Sequence, residues 1–157
     1  MRTREAKKPE AERITRELWL PLAREMEKLS DFNELKEELD IEECIENRKK
    51  GIREKGKHTF IAEEGQKLIG FISVKIKESA PVFKRGDKLK VNELFVKPEF
   101  RREGIASKLL EEAVKTGKAE GCSTVELEVD APNQEAKEFY RNEDFKTVRE
   151  RFSKILD

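Results

Sequence analysis

The chain has 157 residues, with 34 lysines and arginines balanced by 34 aspartates and glutamates, so its net charge is zero. That length suits one domain with a core of its own, and the balance excludes the basic excess of a nucleic-acid or membrane-surface protein. Charged residues make up 43% of the chain. Dispersed among regular apolar stripes, they read as the ion networks of a hyperthermophile rather than as disorder.

Met1 to Lys7 is short, polar and nearly patternless. Pro9 stands where a helix start tolerates a missing N–H, and Ile14, Leu18, Leu22 and Met26 follow at four-residue spacing. Pro21 interrupts that pattern, which predicts a kink or two short helices, with Trp19 packed in the core. Ser30-Asp31-Phe32-Asn33 is a break rich in N-cap residues. A second helix is expected from about Asn33 to Glu54, carrying Leu35, Leu39, Ile41, Cys44, Ile45 and Arg48. His58 to Glu63 and Lys67 to Lys77 read as strands joined at Glu64-Gly65 into a hairpin. His58, the one histidine, is expected to pack at a strand end. Glu78 to Lys88 is a loop.

Leu89 to Val96 is rich in branched and aromatic residues and reads as the next strand, stopped by Pro98. Ile105, Leu109 and Ala113, with Ala106, Leu110 and Val114 beside them, make a helical stripe running to about Glu120, where Gly121 is the stop. Ser123 to Asp130 alternates Val125, Leu127 and Val129 against Thr124, Glu126, Glu128 and Asp130, as a strand should. A strand–helix–strand unit of this kind makes a parallel pair with a right-handed crossover. A last strand is expected over Phe145 to Ile155. Cys44 and Cys122 form no disulfide framework and have no metal-ligand spacing. No run approaches the ~18 apolar residues of a membrane span, and the N-terminus has no signal-peptide core. The expected setting is the cytoplasm, with neither membrane nor nucleic acid as partner.

The turn between the Leu89–Val96 strand and the following helix has the composition of an anion site. A helix N-terminus offers unpartnered N–H groups and partial positive charge. Gly104 lets a ligand approach the backbone, Ala106 blocks little, and Arg101 and Arg102 add fixed positive charge.

Arg101-x-x-Gly104-x-Ala106 resembles the acetyl-CoA signature of the GNAT acetyltransferase superfamily, Gln/Arg-x-x-Gly-x-Gly/Ala. Leu94-Phe95-Val96-x-Pro98-Glu99-Phe100 is similar to the strand that leads into it. Downstream, Asn133-x-x-Ala136-x-x-Phe139-Tyr140 with Asn142-Glu143-Asp144-Phe145 resembles the closing motif, Asn-x-x-Ala-x-x-x-Tyr-x-x-x-Gly-Phe, with Asp144 in place of the glycine. The resemblance covers residues 58–152 well and 1–57 poorly. It implies one domain over 1–157: an N-terminal strand and substrate-side helices over 1–57, and an acetyl-CoA-binding core over 58–157. The implied fold is α/β, of the α+β kind. It has a mixed, mostly antiparallel sheet of about six or seven strands, a central parallel pair and about four flanking helices. The first strand falls on Met1 to Lys7.

The activity implied is acetyl transfer from acetyl-CoA, with no metal, to a small amine or a peptide N-terminus, in a protein that could form a homodimer. Backbone groups of Leu94, Phe95 and Val96 would hold the pantetheine arm as an added strand. The N–H groups of Arg102, Glu103, Gly104, Ile105, Ala106 and Ser107, with Arg101, would hold the pyrophosphate, and Asn133 the arm near its thiol. Tyr140 matches the tyrosine that meets the sulfur and is the candidate acid. Two carboxylates are candidate bases. Glu93 is expected among Leu89, Val91 and Phe95, where desolvation would raise its pKa. Glu128, in a segment resembling the ribosomal-protein N-terminal acetyltransferases, is expected to be raised by Glu126 and Asp130; a water chain is the alternative. Competing readings are use of another acyl-CoA, a non-catalytic CoA-binding module, and a Rossmann-type nucleotide domain. The last lacks Gly-x-Gly-x-x-Gly after an early strand.

Overall fold

The structure is a computed structural model and describes every residue except Arg53. Strands β1 (Arg2–Glu5), β2 (Lys57–Glu64), β3 (Lys67–Lys77), β4 (Lys88–Val96) and β5 (Thr124–Glu126) form one five-stranded sheet in the order β1-β2-β3-β4-β5. All neighbours are antiparallel except β4 and β5, which are parallel. The crossover between them is α4 (Ile105–Ala119), the connection a parallel pair requires.

The sheet is covered on both faces. On one, Ile105, Leu109, Leu110 and Ala113 of α4 pack on Ile69, Ile72, Val74, Leu89, Val91 and Val96. On the other, the N-terminal helices bring Ala11, Ile14 and Leu18 onto Ile61, Leu68, Phe71 and Phe95. Gly70 on β3 permits close packing on the α4 side, since a Cβ would lie 2.8 Å from the Phe95 carbonyl oxygen and 3.4 Å from the Leu109 side chain.

The N-terminal helix departs from its expected form. Helix α1 (Ala11–Arg13) runs into a π-helical stretch, Ile14–Trp19, and then into α2 (Leu20–Glu27). The chain stays helical through the Pro21 region. Pro21 has no N–H to donate, and the wider turn, in which the Leu20 N–H reaches the Thr15 carbonyl, absorbs the defect without a break. Trp19 lies at the edge of the core, only partly buried.

The second helix is shorter than the pattern predicts. A single 3-10 turn, Asp31–Asn33, is followed by a non-helical stretch, and α3 spans Ile41–Ile52. Asp40 sets the start: its Oδ1 accepts the Glu43 N–H at 3.0 Å. An aspartate cap outweighs the apolar spacing of Leu35 and Leu39 upstream.

The C-terminal end departs most. β5 covers Thr124–Glu126 rather than Ser123 to Asp130, and residues 146–157 form no strand. Val148, Phe152 and Leu156 are exposed, so nothing rewards strand pairing of that segment in the isolated chain. The sheet therefore has five strands rather than six or seven. No helix among the described residues is long and apolar enough to cross a membrane.

Candidate functional site

The site is built where β4 leaves its parallel neighbour. β5 pairs with β4 only at Lys88, Leu89 and Lys90. From Val91 to Val96, β4 has no strand partner on that side among the described residues. Its other edge pairs with β3 throughout, apart from one bulge. A free strand edge in the middle of a domain is a template for an extended ligand, and Leu94, Phe95 and Val96 lie on it.

The chain then enters α4 through a turn with two left-handed residues, Arg102 at φ 65° and Gly104 at φ 79°. Among the described residues, no backbone acceptor takes the N–H groups of Arg102, Glu103 or Gly104, and the first helical hydrogen bond of α4 belongs to Lys108. The N–H groups of residues 102–107 are therefore free of partners among the described residues, at the positive end of a 15-residue helix. Nothing lies within 4 Å of the position a Cβ would take on Gly104. Free donors, helix polarity and open space fit a pyrophosphate. Arg101 differs from its expected role. Its Nε donates to the Val96 carbonyl at 2.8 Å, and its terminal nitrogen grips both Glu25 carboxylate oxygens at 2.8 and 2.9 Å. Arg101 thus ties α2 to the end of β4.

α5 (Gln134–Asn142) closes the other side. Asn133 is its N-cap, accepting the Ala136 N–H at 3.1 Å through Oδ1, which leaves its amide NH₂ free to donate. At the C-terminal end Asp144 sits at φ 66°, the left-handed conformation for which the motif has glycine. The Phe145 N–H reaches the Tyr140 carbonyl and the Asp144 N–H the Arg141 carbonyl, the double bond of a Schellman cap. The aspartate therefore keeps the turn. The cap stacks Phe145 edge-on to Tyr140 at 5.4 Å, with Phe139 at 5.1 Å on another side. Burial pushes the Tyr140 hydroxyl up to about 12 from its ordinary 10; at neutral pH it is protonated at either value. Ser107 Oγ donates to Glu143 at 2.6 Å and joins the two helices.

On the opposite face of β4, α3 and the π-helical stretch enclose a cleft of about 460 Å³. Glu93 is in its lining, but its surroundings are not the expected ones. Asn92 is the extra residue of a bulge, so β4 pairs Val91 with Val74 but Glu93 with Ser73. The bulge separates Glu93 from Leu89 and Val91, which face α4. In place of apolar neighbours Glu93 has Arg48 of α3, paired bidentately at 2.7 and 3.1 Å, and the Ser73 hydroxyl at 2.7 Å. Arg48 also lies 5.2 Å from the Phe71 ring centroid. Its Nε and the Thr15 hydroxyl are buried without partners among the described residues.

Glu128 also differs from expectation. Arg151 at 2.8 Å and Lys90 at 3.4 Å hold its carboxyl below the usual range, where repulsion from Glu126 and Asp130 was expected to raise it. His58 is a strand-end link, as expected, between Glu5 at 3.1 Å and Glu120 at 2.7 Å. Burial opposes its charge, but the two carboxylates outweigh burial and raise its pKa. Arg48 and Ser73 were not singled out from sequence as site residues. The available signal was a polar residue at a core position of each element, the charged Arg48 in the α3 stripe and the hydroxyl of Ser73 among Phe71, Ile72 and Val74.

The model of the acetyltransferase (GNAT) family matches residues 15–145. The chain belongs to that family. Over 87 residues it is 33% identical to an uncharacterized N-acetyltransferase of Archaeoglobus fulgidus, a match covering 55% of this chain and 58% of that protein. Over 82 residues it is 34% identical to one of Methanocaldococcus jannaschii, covering 52% of this chain and 36% of the other. The chain thus spans little more than half of one relative and about a third of the other. Among solved structures, a mutant of the BH1408 protein of Bacillus halodurans superposes with a TM-score of 0.85 at 18% identity, covering 99% of each chain. The aminoglycoside acetyltransferase AAC(6')-Iy, in complex with the bisubstrate analog CoA-S-monomethyl-acetylneamine, superposes at 0.78 with 18% identity, covering 99% of this chain and 98% of that one. At such identities the likeness shows the GNAT fold.

Proposed function

We propose that this GNAT chain is an acetyl-CoA-dependent N-acetyltransferase acting on a primary amine, a small molecule or a peptide N-terminus, by direct attack in a ternary complex. One observation carries the reading: the free N–H groups of residues 102–107 and the unpaired edge of β4 lead to Glu93, which opens into a cleft on the sheet's other face. The pyrophosphate would rest on the 102–107 backbone, the pantetheine arm along Leu94–Val96, and the Asn133 amide near its thiol end.

The amine nitrogen forms the new bond to the thioester carbonyl carbon as the carbon–sulfur bond breaks. The ammonium must first lose a proton, and Glu93 is the candidate to take it. Tyr140, protonated at neutral pH, is the candidate to give one to the departing sulfur. The segment around Glu128 and Asn133 supports a peptide N-terminus among the acceptors, with Glu128 as the rival base. Two free cysteines suit a reducing, cytoplasmic setting. A non-catalytic CoA-binding module is the second reading, favoured by the ion pair that engages Glu93.

A mass-spectrometric screen for acetylated products over amines, polyamines and N-terminal peptides tests the activity; acetyl-CoA binding without any product would support the module. The base is tested by kcat/KM against pH. A limb set by Glu128 would lie below the usual carboxylate range and move up with salt, as screening weakens the pull of Arg151 and Lys90. Glu93→Gln or Glu128→Gln should flatten the limb its carboxylate sets. Retention of the wild-type limb in both variants would remove both from the role.

A further inference from the structure

The face of the sheet that floors the cleft carries a row of like charges. In register, Lys57 of β2 lies opposite Lys75 of β3, and Lys75 opposite Lys90 of β4. Like charges directly opposite across strands destabilise a sheet, so folding alone gives no reason for the row. Its two outer members are relieved: Lys57 pairs with Glu54 at 2.7 Å and Lys90 with Glu128 at 3.4 Å. The central one, Lys75, is half-buried and has no ion-pair partner among the described residues. Lys57 and Lys75 both line the cleft, as do Arg48 and Glu93. The adjacent row on the same face is Thr59, Ser73 and Glu93. Successive rows on one face of a strand lie about 6.6 Å apart. An unrelieved cation and the candidate base thus stand diagonally across neighbouring strands, in adjacent rows on the floor of one cleft.

We propose that the acceptor carries an acidic group, a carboxylate or phosphate, a short chain away from its amine, with Lys75 as the anchor for that group. The amine then comes to Glu93 while the acid completes the lysine row. This deepens the acetyl-transfer reading and rests on it. It also separates the cleft from one suited to polycationic acceptors, whose charges the row would repel.

The test uses matched probes: 4-aminobutyrate against its amide and against 1,3-diaminopropane, and O-phosphoethanolamine against ethanolamine. Binding to the CoA-saturated protein is read by calorimetry, and turnover by release of CoA thiol. The acid member of each pair should bind about tenfold more tightly or better, and the better of the two acids identifies the anion. Lys75→Gln should lose that preference and leave binding of the neutral members unchanged. Lys75→Glu should favour the diamine and, by facing Lys57 and Lys90 with the opposite charge, raise the Tm. Equal binding of acid and neutral members by the wild type would overturn the anchor, as would variants that weaken both alike or a lower Tm for Lys75→Glu. If acid preference is seen but no probe is acetylated, the anchor stands and acetyl transfer to this class fails. If amide and diamine are acetylated as well as the acid, acetyl transfer stands and the anchor fails.

Discussion

Replacing Glu93 with glutamine should cost stability as well as catalysis, and the two costs can be separated. Arg48 is 12% and Glu93 21% exposed in their side chains. Removing one partner of a fully buried pair costs about 3–5 kcal/mol, because the other charge is left uncompensated. Glutamine keeps one acceptor for Arg48 and the bond from Ser73, and the pair is partly wet, so about 2–3 kcal/mol is expected for Glu93→Gln. For a domain of this size that is a fall in Tm of about 4–12 °C, which a stability of about 5–15 kcal/mol survives. Arg48→Met should cost a similar amount, since it strands the carboxylate. The double variant Arg48→Met, Glu93→Gln removes both charges together, and its loss should fall short of the summed singles by about 1–2 kcal/mol. Thermal and urea unfolding of the four proteins supplies the cycle. Strictly additive losses, or a Glu93→Gln melt within about 1 °C of wild type, would refute the ion pair as a structural strut. Glu93 would then owe its position to something other than Arg48.

Gly104→Val should abolish acetyl-CoA binding while the domain stays folded, because it sets a branched side chain at φ 79° in the open space over the free N–H groups; unchanged affinity by calorimetry would place the anion elsewhere. Tyr140→Phe removes only the hydroxyl, so turnover should fall by roughly 10²–10⁴ with little change in acetyl-CoA affinity. An unchanged single-turnover rate would leave Tyr140 a packing residue between Phe139 and Phe145. His58 has a folded pKa raised above its ordinary 6.5. Its link between Glu5 and Glu120 is therefore fully stabilising below that value and is lost as pH rises through the raised one. The stability gap between wild type and His58→Gln should be largest below pH 6.5 and shrink as pH rises above it, and a gap that widens would contradict the assignment.

Local chemistry along the chain was enough to place β2, β3, β4 and α4. It also located the turn that leads into α4, since Pro98, Gly104 and the stripe from Ile105 act through steric limits and periodicities that need no tertiary partner. What local chemistry could not decide was every feature set by register or by competition between distant groups. The bulge at Asn92 depends on how β4 pairs with β3, and that one extra residue moves Glu93 from an apolar face to the partnership with Arg48. Lys57, Lys75 and Lys90 become a row only once three strands are aligned. Glu128 owes the direction of its shift to Arg151, 23 residues away, which no periodicity connects to it. Spacing along a chain determines which face a side chain can take within one element, whereas its electrostatic neighbours depend on the packing of several elements at once.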